Sequence, residues 1–478
     1  MAGMTSNSSG KGGHMGIFSA VMMLVGAIIG SGIFASPGPL LTMTGSVGMS
    51  LLVWLAAGLL SMIGAFCYAE LGTMITENGG EYQYLRTAFG PLLGLTYTWS
   101  LIMLANPIGT ASIAFIFARY MCHVFYMDPS GDPSKSHDAP DYLVKLVACI
   151  GIAVVAILQC ISSRAGTRVA TLFTSAKVVA IAVIVIVGLV WMGKGEVGEG
   201  FARPIMEGTK SDPMSLGKAM CMALFAYNGW NTLNFATGEL KNPARVLPWA
   251  IAISCTVVIV CYQLANVAYL SVLPLETVRT SKTVAMELGL KAMGPGGAYF
   301  MAAMVCCSAF GAVNAHVWVA SHLLLASAKD GILFPKIFAR IHEGRGTPMI
   351  NLAFVTVISC LWTLVGDFDK LVKVYAFILW AFYFTTILGM MVLRWKAPTR
   401  ERPFRVWWPL AAVFLLVAGY VVVAPLADAK DLILQYTLCI LGCLCAVPIW
   451  YWRVRRPANR ELAMKETDGA YKMASEKV

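Results

Sequence analysis

Apolar runs recur along the whole chain, separated by charged or Gly/Pro-rich stretches. They fall at about 14–41, 47–69, 88–121, 143–162, 168–192, 214–237, 247–274, 297–327, 348–366, 371–393, 406–427 and 432–452. A bilayer crossing needs about 20 apolar residues in a helix. The pattern therefore predicts an all-α polytopic membrane protein of about 12 transmembrane helices. Between Lys11 and Glu70 no Lys, Arg, Asp or Glu occurs, and that interval holds two crossings. Two of the runs are interrupted. LVGAIIGSGIFASPG, from Leu24 to Gly38, carries four glycines and a helix-breaking Ser-Pro-Gly end. CMALFAYNGWNTLNF, from Cys221 to Phe235, carries Asn228-Gly229 with Asn231 and Asn234 close behind.

Composition agrees with this solvent. The 478 residues are 58% hydrophobic and 13% charged, whereas soluble domains carry about 25% charged residues. The start, MAGMTSNSSGKGGH, lacks the basic and small-residue pattern of a cleaved signal peptide, so the first span itself is expected to direct insertion. With the N-terminus inside, 22 of the 36 Lys and Arg residues face the cytoplasm. The positive-inside rule selects that topology and places both termini there. The net charge of +11 then needs no nucleic acid, and the tail WRVRRPANR suits an anionic inner leaflet. Most of the 13 cysteines lie within spans, where a thiol behaves as a small hydrophobe. Cys439, Cys443 and Cys445 have no His or carboxylate at ligand spacing, so no metal and no cofactor is expected.

A broken helix in hydrocarbon leaves backbone groups unpaired at several kcal/mol each, and is tolerated only where it is buried in protein or lines a polar cavity. Close packing through Gly26, Gly30 and Gly32 would account for the first break alone. The second break changes the reading. Residues 14–192 and 214–393 form two five-helix units of similar length, each opening on an interrupted helix, and an odd number of crossings makes the second unit inverted. Paired interruptions of this kind point to a transport site at the bilayer midplane. Half-helix N-termini suit a carboxylate and half-helix C-termini an ammonium, so a free α-amino acid fits both. Gly30, Ser31 and Gly32 would admit the carboxylate, while Phe225, Tyr227 and Trp230 offer either aromatic contact or ordinary packing.

The segments GAIIGSGIFASPG, YAELGTMITENGGEYQYL, LFAYNGWNTLNF, GELKNPARVLPWAI and AKDGILFPKIFARIHEGRGTP resemble the signatures of the L-type amino-acid transporters. These are the light chains of heteromeric amino-acid transporters, within the amino acid–polyamine–organocation superfamily. The resemblance runs from about Gly16 to Arg456. It implies a five-plus-five inverted repeat with broken helices 1 and 6 and two added helices at 406–452, flanked by tails 1–13 and 453–478. It also implies sodium-independent exchange by alternating access at the plasma membrane. Ile28, Gly30, Ser31 and Gly32 match the first-helix substrate segment. Phe225, Ala226, Asn228, Gly229, Trp230 and Asn231 match the sixth, with Phe225 as the gating aromatic.

The sequence departs from that pattern in three places. The loop from His123 to Tyr142 lacks the cysteine through which light chains bond a single-span glycoprotein, leaving a non-covalent subunit or, through Cys122, a displaced link. Asn228 stands where relatives have Gly or Asp, which leaves substrate size and charge open. His322 takes the place of an Arg, with His316 nearby, and a buried hydrogen-bonded histidine is the expected reading over a proton relay. Lys177 in LFTSAKVVAIAV lies about nine residues inside its span, roughly 13 Å at 1.5 Å per residue. Snorkelling would fall short at that depth, so an interior coupling role is expected. By resemblance this lysine takes the place of a second sodium and tethers span five to span one.

No convergent nucleophile, base or metal set supports an enzyme, and no charged ring or repeated carbonyl filter supports a channel. The reading is an exchanger of neutral L-amino acids. A proton-coupled symporter and a non-transporting sensor are the alternatives.

Overall fold

The computed structural model describes residues 14–127, 138–161, 163–195, 198–331, 333–342, 345–427 and 433–454. Among the described residues the only extended pairings are two isolated bridges, Met15 with Leu240 and His342 with Thr347. Everything else of regular form is helical, as an all-α membrane protein requires.

The first apolar run is split into α1 (Ile17–Ile28) and α2 (Pro37–Thr44), with one 3-10 turn, Gly32–Phe34, between them. Proline at the start of α2 lacks only an N–H that a first turn leaves unpaired anyway, and Gly45 at φ 81° ends the helix. The second span is α3 (Val47–Met74), whose first turn is capped by Ser46 Oγ accepting from Met49 N–H at 3.2 Å. A short helix, α4 (Glu81–Phe89), precedes the third span, which comprises α5 (Pro91–Ser100), a π turn at Leu101–Ala105 and α6 (Asn106–Tyr126). Pro107 has no N–H to continue an α ladder, and a π turn just before it absorbs the mismatch. Two spans follow, α7 (Asp141–Ile161) and α8 (Ser163–Gly193).

After the short α9 (Glu199–Ala202), the sixth run forms α10 (Pro213–Ala226), stops, and resumes as a 3-10 stretch at Thr232–Glu239. Next come α11 (Pro243–Val272), α12 (Leu275–Thr280) and α13 (Val284–Lys329), the last bent at Gly294 (φ 71°) before Pro295. The chain ends in α14 (Met349–Val365), α15 (Phe368–Lys396), α16 (Trp408–Ala427), α17 (Ile433–Leu444) and α18 (Ala446–Val454).

Among the described residues, eight helical stretches are long and apolar enough to cross a membrane, and four shorter apolar helices accompany them. Two of the four, α1 and α10, are short because their spans are broken. One boundary moves: α8 begins at Ser163 rather than near residue 168.

Both ends of the broken spans are held by polar contacts. At the end where α1 begins, Met15 N–H donates to Glu239 O at 3.0 Å and Met15 O accepts from Lys241 N–H at 3.1 Å. Gly238 N–H donates to Asn78 Oδ1 at 2.9 Å. Nearby, Glu70 of α3 is fully buried and receives Arg394 of α15 through Nε at 2.8 Å and through Nη2. Val406 N–H adds 2.8 Å, and Arg402 lies 3.7 Å away. A buried carboxylate so paired fixes α3 to the turn between α15 and α16, and losing a partner would leave an uncompensated charge at about 3–5 kcal/mol. At the opposite end Tyr120 Oη donates to Phe34 O at 2.8 Å, and Arg279 donates to Gly45 O at 2.7 Å.

Candidate functional site

The site is built from the two helix breaks. Ile29 leaves α1 with φ −67° and ψ 98°, and among the described residues the N–H groups of Gly30, Ser31, Gly32 and Ile33 donate to no backbone carbonyl. Phe34 N–H is the first to pair again, with Ser31 O at 3.1 Å. The second break repeats the arrangement. Among the described residues, Gly229, Trp230 and Asn231 donate to no backbone carbonyl before Thr232 N–H pairs with Gly229 O at 3.1 Å. Gly229 turns the chain at φ 105°, a conformation that other residues adopt only with strain.

Each break uses a glycine to approach the other. A Cβ on Gly32 would lie 2.6 Å from Ala226 Cα, and one on Gly229 would lie 2.7 Å from Ala27 O. The half-helix carbonyls are shared out among side chains. Tyr262 Oη of α11 lies 3.2 Å from Ile28 O and 3.0 Å from Ala226 O, bridging the ends of α1 and α10. Lys177 Nζ of α8 donates to Gly26 O at 2.6 Å, with only 8% of the residue exposed. The tether from span five to span one is present in this geometry.

Ile28, Gly30, Ser31, Gly32, Phe225, Ala226 and Gly229 come together around the breaks. Ile28 and Ser31 are each 2% exposed, whereas Gly30, Phe225, Asn228 and Gly229 keep partial access. Phe225 meets Phe368 and Tyr375 edge-on at 5.9 and 6.0 Å between ring centroids. Asn228 is clamped by two phenols of α15: its Nδ2 donates to Tyr375 Oη at 2.7 Å and its Oδ1 accepts from Tyr383 Oη at 3.3 Å. Tyr375 and His316 also press on Gly109, which lies just past the π turn.

Two of the sequence-derived residues turn elsewhere. Trp230 is buried against Tyr68, Tyr383 and Phe414, and Asn231 donates to Glu81 Oε1. Both face the end of the bundle where α1 begins. The structure adds Tyr262, Tyr375, Tyr383 and Glu81 to the residues around the breaks. Their signal was available, because a phenol or carboxyl inside an apolar packing needs a partner, but the sequence does not say which. His322 is half-buried and hydrogen-bonded through Nδ1 to Trp318 O at 2.9 Å, while His316 Nδ1 has no partner among the described residues. Cys122, weighed as an alternative disulfide anchor, is 3% exposed.

Arranged this way, backbone N–H groups without a backbone partner and half-helix carbonyls converge on one small region, with the Lys177 ammonium beside it. Such a region can take a molecule that is an anion at one end and a cation at the other. Comparison with known proteins points the same way. The model of the family described as "Amino acid permease" matches residues 15–449. The b(0,+)-type amino acid transporter 1 of Mus musculus is 35% identical over 461 residues, covering 94% of this chain and 92% of that one. Its Homo sapiens counterpart is 34% identical over the same length. The large neutral amino acids transporter small subunit 2 of Mus musculus is 35% identical over 456 residues, covering 93% of this chain and 83% of that one.

Proposed function

The chain belongs to the amino acid permease family, and on that premise we propose that it exchanges neutral L-amino acids across a membrane without sodium, by alternating access. The observation that carries the reading is the facing pair of breaks, Gly32 against Ala226 and Gly229 against Ala27, with N–H groups on both that donate to no backbone carbonyl among the described residues. The substrate carboxylate meets the N–H groups of Gly30 to Ile33, and its ammonium meets the carbonyls at the ends of α1 and α10. Recognition then rests on the groups around the α-carbon, and Asn228 with its two tyrosines sorts side chains. Lys177 supports the absence of sodium coupling, since its ammonium already takes the Gly26 carbonyl that a coupling cation would use.

The halves 14–192 and 214–393 act as inverted repeats that rock about this site, with both termini cytoplasmic and α1 beginning on the cytoplasmic side. The plasma membrane is the proposed location. A relative's name as a small subunit supports a second chain. With Cys122 buried, we place that partner, a single-span glycoprotein, in non-covalent contact.

Counterflow in proteoliposomes tests the reading. Unlabelled substrate inside should accelerate uptake, and choline in place of sodium should leave it unaltered. Amino-acid esters and N-acetylated analogues should fail to compete, because each lacks one of the two charges. An ester that competes as strongly as its parent acid would sink the clamp, and a strict sodium requirement would sink the coupling assignment.

Asn228→Gly should reorder substrates rather than abolish transport. The change removes the polar side chain, opens volume beside Phe225, and frees the hydroxyls of Tyr375 and Tyr383. A buried polar group left unpaired costs about 1–3 kcal/mol, so the ratio of alanine to tryptophan uptake should fall by roughly five- to 150-fold. An unchanged ratio would show that position 228 does not face the substrate.

A further inference from the structure

Two glutamates eleven residues apart, Glu70 and Glu81, are both fully buried, and their surroundings are opposite. Glu70 is met by Arg394, Arg402 and a backbone N–H, as described above. Glu81 opens α4, outside the spans, and among the described residues no Lys, Arg or His pairs with it. Its Oε1 accepts from Asn231 Nδ2, on the broken sixth span. Its Oε2 is buried without a hydrogen-bond partner, and so is the hydroxyl of Tyr68.

The titratable groups that face Glu81 are phenols from every side. Tyr68 comes from α3, Tyr84 from α4 itself, Tyr97 from α5 and Tyr383 from α15. Phenols are neutral at physiological pH and supply no counter-charge. A carboxylate enclosed by neutral groups is costly, and a carboxylic acid there is not.

We propose that Glu81 is a proton-binding site whose protonated form latches the α1 end of the sixth span shut, and whose ionisation releases it. The reading of this end as the gate on one side of the membrane rests on the proposed transport cycle. The latch is Glu81 with Asn231, backed by Tyr84 Oη donating to Asn234 Oδ1 at 3.3 Å and Gly238 N–H donating to Asn78. When the 3-10 stretch Thr232–Glu239 swings away, water reaches Glu81 and the proton on Oε2 leaves to that side. When the stretch returns, the proton is taken up again.

The direction of the pH effect follows from burial. Burial pushes the Glu81 carboxyl from its ordinary 4.5 up to about 7, against the hydrogen bonds that favour the ion. The closed latch thus holds a proton that the open, hydrated form gives up above about 4.5. Closure is strongest in acid and weakens as pH rises through this window, by at most about tenfold per pH unit for one proton. Above about 7 both forms are ionised, and the dependence levels off.

Hydrogen–deuterium exchange of the purified protein across pH 5 to 8, corrected for intrinsic amide rates, reads the latch directly. Protection of residues 232–239 should fall as pH rises to about 7 and then flatten. Glu81→Gln keeps the acceptor for Asn231 and imitates the protonated acid, so its protection should stay high and independent of pH. Exchange transport by wild type should slow as pH is lowered below 7 on the α1 side, and the variant should lose that response. A flat wild-type protection profile, which needs no variant, would overturn the proposal, as would an unaltered profile in Glu81→Gln. If amino acids are not transported at all but the latch still loosens with pH, the transport reading fails and the proton site stands.

Discussion

Alanine in place of Gly32 is expected to reduce uptake of every amino acid to background, while Gly30→Ala leaves substantial transport. The two glycines lie two residues apart in one break, yet their surroundings differ. A Cβ at position 32 would stand 2.6 Å from Ala226 Cα, 3.0 Å from its Cβ and 3.2 Å from its N. That obstacle is backbone, which no side-chain rotation relieves, so the half-helices must part by several tenths of an ångström or more. A Cβ at position 30 would meet only Ile28 O, at 3.9 Å, an ordinary contact. Spreading the breaks moves donors and acceptors out of register with a substrate that must touch both, and small misplacements of this kind are costly. Uptake is the assay, with monodispersity and thermal stability in detergent as the control for folding. Wild-type uptake by Gly32→Ala would show that the close approach has no part in function.

Removing the ammonium of Lys177 should have a comparable effect by another route. The Lys177→Ala protein should remain inserted and folded but lose transport by one to two orders of magnitude. Hydrogen bonds to charged groups contribute about 1.5–3 kcal/mol, and this one joins α8 to the last turn of α1 at 2.6 Å. Without it the Gly26 carbonyl loses its donor and α1 its link to the span that must move with it. Lys177→Arg should fail as well, because a planar guanidinium in place of a compact ammonium does not fit a site this enclosed. Uptake near the wild-type level in Lys177→Ala would end the coupling role.

The positions of spans and breaks were legible because they depend on local chemistry. Hydropathy alone located the twelve apolar runs, and Gly-rich or Asn-Gly interruptions marked where α1 and α10 stop. The same logic explains what was missed. Glu70 and Glu81 look alike in the chain, yet one meets Arg394 from 324 positions away and the other meets only amide and phenol groups. Pairings of that kind are set by tertiary packing, which leaves no local pattern. Trp230 illustrates the reverse case: the chain turns between α10 and the 3-10 stretch so that its indole packs against Tyr68 and Phe414. The start of α8 escaped hydropathy for another reason: its polar first residues continue the helix back to Ser163.

Tyr262 has one hydroxyl proton and stands within reach of two carbonyls, Ile28 O and Ala226 O. It can satisfy only one at a time. Rotation of the O–H about its C–O bond transfers the hydrogen bond from one broken span to the other without moving the ring, which Trp54 and Tyr227 hold in place. The phenol is thus a two-position rotor set between two bodies. If the spans shift in opposite senses, the carbonyl that approaches gains the proton as the other departs, so the number of bonds it makes is conserved along the path. A joint with that property offers little resistance to motion in either direction, and suits the proposed exchange cycle, which runs both ways.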